Sequence, residues 1–485
     1  MENTTILKSM ADSKWIRWTV LLLVSITIAT NYYVYDALSS IKSLMQSQLG
    51  FSSTDYGLIV AFYSFPNTFL AMSVVGGVIL DKWGIRKTGF LFVLFCVLGA
   101  LLTAYGASPY FRNHGFGYNF FAGITTKISP ELLIMILGRL LFGLGAETSI
   151  VVINKIMVKW FKGKELALAF ASNIALARMG TAAALIISPA LTDQVTNWNN
   201  SLWLATILMT IGFGTYLIYL LYDRKLDRQV QQSGSLLAPD EEFHFQDILD
   251  LIKNKSYLYI CTLCVIFYSA VFPFIAYTPD LLKNKYSVDY QNIGIVKFII
   301  DILQNTYHFS QSTTQLIIGG IIASLIPIGT IGFTPLFGWI VDKYGKRATL
   351  MIYGSILLLV VHLLIAFTHV SPFIPFLCAG IAFSLVPSAM WPSVALIVEE
   401  NKLGTAYGLM ASIQNLGLFA FPILAGNILD STNIGITAEM VDTGKAVLNY
   451  QMTILMFAGL GVLSIIFAVL LKRETNKVAS FNLDA

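Results

Sequence analysis

The sequence predicts an all-α membrane protein of twelve transmembrane helices in two pseudo-symmetric six-helix halves, and three observations carry that expectation. Of 485 residues, 56% are hydrophobic and 12% charged, with a mean hydropathy of +0.70. A soluble domain carries about 25% charge, so this chain could not cover its apolar surface in water, which sets aside soluble enzymes and nucleic-acid binders. Turn and charge signals cut the chain into twelve apolar runs, and one loop motif is written twice at corresponding places.

Each run has the length that about 20 apolar residues need to cross a bilayer. The first six lie near 16–41, 54–80, 88–106, 131–156, 164–189 and 200–222. The second six lie near 256–280, 314–341, 348–369, 372–396, 402–428 and 446–471. The first run leads straight into Asn31-Tyr32-Tyr33-Val34-Tyr35-Asp36 with no small-residue cleavage site, so it is expected to span and not to be removed. Residues 223–255 mix charges with Gln231-Gln232-Ser233-Gly234-Ser235 and read as a linker between bundles 1–222 and 256–485. Two loops are long, 107–130 and 281–313; the second is expected as an outer insertion, either a short interfacial helix around Lys297 or an ordinary cap. Lys and Arg number 22 on the side of the termini, seven on the other side and two, Arg139 and Arg178, within spans. The positive-inside rule therefore predicts cytoplasmic termini. The net charge of +4 implies no polyanion partner.

The repeated motif is Gly77-x-x-x-Asp81-Lys82-x-Gly84-x-Arg86-Lys87 and Gly338-x-x-x-Asp342-Lys343-x-Gly345-x-Arg347. Its first glycine is expected to let two helices approach closely. Its charges are expected to form interhelical clusters that one conformation makes and another breaks. A weaker match pairs Leu166, Ala169, Phe170 and Gly180 with Leu403, Ala406, Tyr407 and Gly417. The doubled motif resembles the major facilitator superfamily, as does Gly138-Arg139-Leu-Leu-Phe-Gly143-Leu-Gly145-Ala146. That resemblance implies repeated halves rocking about a midplane site. The Gly-Pro motif of antiporters is absent from Asn173-Ile-Ala-Leu-Ala-Arg178-Met-Gly180.

Ionised groups at the bilayer centre cost about 2.5–3.5 kcal/mol each, so each calls for a partner or a use. Asp36, Arg139, Glu147 and Arg178 are the candidates. Glu147 and Arg178 flank the turn Lys162-Gly163-Lys164 symmetrically, which at 1.5 Å per residue puts each roughly 20 Å above it. They form either a permanent salt bridge or a dipolar clamp, carboxylate for a substrate ammonium and guanidinium for a substrate carboxylate. Two residues of chain extend at most about 7 Å, which suits a dipeptide or another zwitterion. Arg139 is rotated about 80° from Glu147 and is expected at a structural or gating position. Asp36 is either an outer gate or proton site, or a plain rim residue. Tyr32 and Tyr35 either line a site or belong to an interfacial belt, and Trp391 is a candidate cavity wall. Cys261 and Cys264, though spaced C-x-x-C, are expected to pack, and His362 and His369 are expected at packing or rim positions. Nine of the fourteen prolines, among them Pro273, Pro387 and Pro392, fall in the second half.

Several stretches are similar to one branch of that superfamily, the lysosomal dipeptide uniporters. They are Asn31–Asp36, Tyr63-Ser-Phe-Pro-Asn67, Trp160-Phe-Lys-Gly-Lys-Glu-Leu166, Ala270-Val-Phe-Pro-Phe-Ile275, Trp391-Pro392 and Leu403–Gly417. The resemblance implies that Glu147 holds the amino end of a dipeptide and Arg178 its carboxylate. It also implies that Trp391, Asn415, Tyr63 and nearby tyrosines line the site. No E-x-x-E-R motif of proton-coupled peptide transporters stands on the first span, which favours a uniporter. The alternatives are a proton-coupled carrier of another zwitterion or anion, using Arg139 and Arg178, or a non-transporting receptor. An enzyme is not expected, because no nucleophile–base set or metal-ligand cluster appears. The expected partners are the bilayer and a small-molecule substrate, with no cofactor, metal or nucleic acid, and a monomeric state. No accessory subunit is called for, since the outer loops depart from that branch. Short termini and the poor match of Glu2-Asn-Thr-Thr-Ile6-Leu7 to a sorting signal favour a cell inner membrane over a lysosomal one.

Overall fold

The computed structural model describes residues 10–192, 198–232, 245–286, 294–399, 402–477 and 482–484. Glu2–Leu7 and Ser233–Ser235, weighed above as a sorting signal and as linker, lie outside them. In the first half the helices are α1 (Lys14–Asp36), α2 (Lys42–Leu49), α3 (Ser53–Ala61), α4 (Phe65–Leu70), α5 (Met72–Gly106), α6 (Pro109–Arg112), α7 (Tyr118–Ile124), α8 (Pro130–Phe161), α9 (Leu166–Ala190) and α10 (Asn200–Gln232). They continue with α11 (Phe245–Lys253), α12 (Lys255–Tyr286), α13 (Gly294–Asp301), α14 (Gln311–Ala323), α15 (Leu325–Tyr344), α16 (Arg347–Phe367), α17 (Phe373–Ile397), α18 (Leu403–Thr432), α19 (Ala438–Asp442) and α20 (Gln451–Thr475). Among the described residues, eleven helical segments are long and apolar enough to cross a membrane.

The second expected span is not one helix. It breaks after Ala61 and again at Ala71, whose left-handed backbone (φ 48°, ψ 47°) ends α4. Its last part continues into α5, which bends at Gly84 (φ 75°, ψ 167°) before running on as the third span. Pro66 in the first turn of α4 fits that restart, because a proline lacks the N–H that an interior helix position needs. The first span also stops earlier than expected, at Asp36, and a 3₁₀ turn (Ser39–Ile41) leads to α2. The residue-281–313 loop contains a helix, α13, with Phe298 exposed and Val296 buried.

The close-approach role expected of Gly77 and Gly338 is not met: a Cβ at either would meet no atom within 4 Å. Within the repeated motif the glycines that matter are Gly84 and Gly345, both at positive φ where L side chains are strained. Close helix contact lies elsewhere. A Cβ on Gly143 would fall 1.9 Å from the Tyr63 carbonyl oxygen, so α8 abuts the break in the second span through that glycine.

Two cores hold the fold. One is built only from first-half residues, among them Val24, Phe142, Ile153, Trp160 and Tyr216. The other unites the second half with first-half residues that include Leu38, Ile41, Tyr56, Ile59, Ala104 and Leu185. These six lie toward the face opposite the termini, so the halves share one core there. Cys96, Cys261 and Cys264 are buried and free, and the imidazole of His362 packs against the rings of Phe274 and Phe457.

Candidate substrate site

Between the halves lie two adjoining chambers of 620 and 440 Å³. They share Tyr32, Ile150, Asn154, Phe170 and Trp391 as walls. Glu147 lines the first and Arg178 the second. Both come from the hairpin α8–α9, where antiparallel helices bring residues equally far from the turn to the same depth. Among the described residues no carboxylate lies within 4 Å of the Arg178 guanidinium, so the permanent salt bridge with Glu147 is not formed.

Arg178 is instead held by ring faces. Its guanidinium carbon lies 4.9 Å from the centroid of Phe383, 5.4 Å from Tyr32 and 5.6 Å from Phe272. Such contacts hold the cation electrostatically without using its N–H donors. Glu147 accepts a hydrogen bond of 2.9 Å from Asn67 Nδ2. Trp391 is a wall of both chambers; its indole N–H donates to Tyr268 at 2.8 Å. Tyr35, Tyr63 and Asn415 line the first chamber together with Asn31. Asn31 donates to Ser149 and Asn415 to the Ala411 carbonyl, and each keeps a buried side-chain oxygen without a donor.

Arg139 does not line either chamber. It is 1% exposed and donates to the Val34 and Tyr35 carbonyls, which α1 leaves open at its end. Asp36, the last residue of α1, is buried at 3% exposure. The first copy of the repeated motif builds the expected charge cluster. Asp81 pairs with Lys155 at 2.7 Å, and Arg86 pairs with Asp227 at 3.1 Å. Lys159 joins Asp223 and Asp227 at 2.7 and 2.6 Å. Lys82 is exposed. The second copy departs from that pattern: among the described residues Asp342 has no ion pair, and Lys343 stacks over Trp339 at 4.7 Å. Arg347 donates its backbone N–H to Leu483.

Residues not singled out from sequence close the face opposite the termini. The Lys42 ammonium meets Asp280 at 2.7 Å, and Tyr450 also donates to that carboxylate. Tyr56 donates to the Ala276 carbonyl, and the Tyr277 hydroxyl donates to the Pro422 carbonyl at 2.8 Å with the Ser53 carbonyl 3.2 Å away. The Asp430 carboxylate accepts from the backbone N–H groups of Ser53 and Thr54, both at 2.8 Å. The first chamber, by contrast, extends to Gly404, the second residue of α18, toward the terminal face.

A chamber at mid-depth between two helical bundles, closed at one face, defines a membrane transporter. The chain belongs to the Major Facilitator Superfamily, whose model matches residues 24–299 and 286–484. It is a multi-pass membrane protein and not an enzyme. It is 30% identical over 411 residues to the lysosomal dipeptide transporter MFSD1 of Mus musculus, covering 83% of this chain and 77% of that one. It is 22% identical to the hexuronate transporter of Bacillus subtilis (strain 168), covering 88% and 92%. Its fold matches that of the nucleoside transporter NupG with a TM-score of 0.62 at 15% identity, covering 93% and 98%. It also matches a bacterial homologue of the human drug peptide transporters PepT1 and PepT2, with a TM-score of 0.57 at 13% identity, covering 94% and 97%.

Proposed function

We propose that the chain moves dipeptides by alternating access as a uniporter, with Glu147 holding the substrate ammonium and Arg178 its carboxylate. The observation that carries this is the pair itself: opposite charges at one depth, unpaired with each other, on walls that meet at Tyr32 and Trp391. The oxygens of Asn31 and Asn415 that lack donors suit the ammonium and the peptide N–H. The dipeptide transport named for the mouse relative supports the substrate class. Commitment of Arg139 to α1 removes the second cation that the alternative zwitterion or anion site would use.

In this reading twelve spans form bundles 1–222 and 256–485 around a cytoplasmic linker at 223–255, with cytoplasmic termini. The closed face belongs to one of two alternating states. Asp36 and Arg139 brace the outer end of the first span, and the Asp81–Lys155 and Arg86–Asp227 pairs brace the inner face. The test is uptake of labelled dialanine into proteoliposomes. Unmodified protein is expected to saturate, and Glu147→Gln and Arg178→Ala each to lose at least tenfold in kcat/KM. Unchanged uptake by both variants would sink the assignment.

A further inference from the structure

The motif Tyr63-Ser-Phe-Pro-Asn67 ends on a side chain that the proposed clamp does not itself use. Asn67 sits in α4, just before the break at Ala71, and is fully buried. Its Oδ1 accepts from the Ser73 backbone N–H at 2.9 Å and from the Ser412 hydroxyl at 3.1 Å. A carbonyl oxygen has two lone pairs, so both are occupied and the orientation of the amide is set. The NH₂ group must then face the other way, where it donates to Glu147. Ser73 is the second residue of α5, so one side chain satisfies a free N–H in the first turn of α5 and orients the carboxylate. Ser412 lies 345 residues away on α18, in the other half.

We propose that Asn67 is a positioning residue: it aims the Glu147 carboxylate at the substrate ammonium and makes that aim depend on contact between the halves through Ser412. Withdrawal of α18 removes one of the two donors that hold the amide. Recognition of the amino end then differs between conformations, which is what a substrate must sense to bias their populations. The inference rests on the clamp proposed above.

The test is binding of dialanine, N-acetyl-dialanine and dialanine amide to purified full-length protein, read by calorimetry. Asn67→Ala is expected to reduce preference for the free over the acetylated amino end by about tenfold or more, the scale of a hydrogen bond to a charged group. Preference for the free over the amidated carboxyl end should stay unchanged, which general loosening of the site would not permit. Ser412→Ala is expected to weaken dialanine binding several-fold in the native background and not at all on Asn67→Ala, while Ser412→Thr, which keeps the hydroxyl, binds normally. Should Asn67→Ala fail to fold, Ser412→Ala and Ser412→Thr binding alike overturns the proposal. Equal loss of preference at both peptide ends, or a Ser412→Ala effect undiminished on Asn67→Ala, also overturns it. If the unmodified protein binds no dialanine, or Glu147→Gln leaves binding unchanged, the clamp itself falls. If those two results hold and Asn67→Ala changes no preference, only the role of Asn67 falls.

Discussion

Lys42 and Asp280 form a buried ion pair of 2.7 Å between residues 238 positions apart, one in each half of the chain. The ammonium is fully buried and the carboxylate 2% exposed, and the rings of Tyr56, Tyr277 and Tyr450 stand 5.7–5.9 Å from the ammonium. Removing one partner leaves the other charge buried without compensation, at a cost of about 3–5 kcal/mol.

Lys42→Met and Asp280→Asn are therefore expected to destabilise the closed face and populate its opening. Spin labels at Ser47 and Ile434, which line the outer depression above the pair, should report longer distances in either variant. The double variant Lys42→Met/Asp280→Leu, with no orphaned charge, should return toward the native distance. Native distances in both single variants would show that the pair does not hold the face closed.

The aromatic cage of Arg178 predicts a specific loss. Phe383→Ala removes the ring nearest the guanidinium, and a cation–π contact is worth about 0.5–2 kcal/mol. Dialanine affinity should fall by about 2- to 30-fold, with the loss confined to discrimination of the carboxyl end. Calorimetry with dialanine amide checks this, since the amide should bind equally to both forms.

The two copies of the loop motif are expected to differ in stability effect. Asp223, which the first copy engages through Arg86, is 2% exposed and also accepts from Lys159 and Tyr219. Asp223→Asn should lower stability by about 3 kcal/mol, whereas Asp342→Asn, at an exposed site with no ion pair among the described residues, should change it by less than about 0.5 kcal/mol. Thermal unfolding in detergent distinguishes them.

Near the C-terminus, Asp484 caps α16 by accepting from the Thr349 N–H and hydroxyl, and it pairs with Lys472 at 2.8 Å. Burial alone raises its carboxyl, but the hydrogen bonds from Lys472 and Thr349 and the Lys472 charge outweigh it, so the group titrates below its ordinary value. A depressed carboxyl stabilises the docked form above the ordinary range near about 4 and loses that contribution as pH falls through the lower folded value. Amide exchange at Thr349, corrected for intrinsic rate, should lose protection on acidification below about pH 4. Asp484→Asn should show less protection at neutral pH and no acid step. A native-like acid step in that variant would refute the cap.

Much of this molecule is legible without coordinates, because the bilayer makes errors of local chemistry costly. Long apolar runs, the doubled loop motif and the demand that Glu147 and Arg178, placed within such runs, find a partner or a use all follow from the cost of exposing polar groups to hydrocarbon. Hairpin symmetry about Gly163 then fixes their common depth. The break in the second span was less visible, since Pro66 and Asn67 mark it only weakly within an apolar stretch.

The sequence by itself determined the membrane class, most of the helical spans, the internal repeat and the two charges of the proposed clamp. Tertiary structure alone decided that Glu147 and Arg178 stay apart, that Arg139 serves the end of α1, and that Lys42, counted among outer-loop cations, is buried against Asp280. It also decided which glycines touch another helix and which only bend the chain. The physical reason is range: hydropathy and periodicity are properties of neighbours in sequence, whereas the partner of a buried charge lies on another helix, hundreds of residues away.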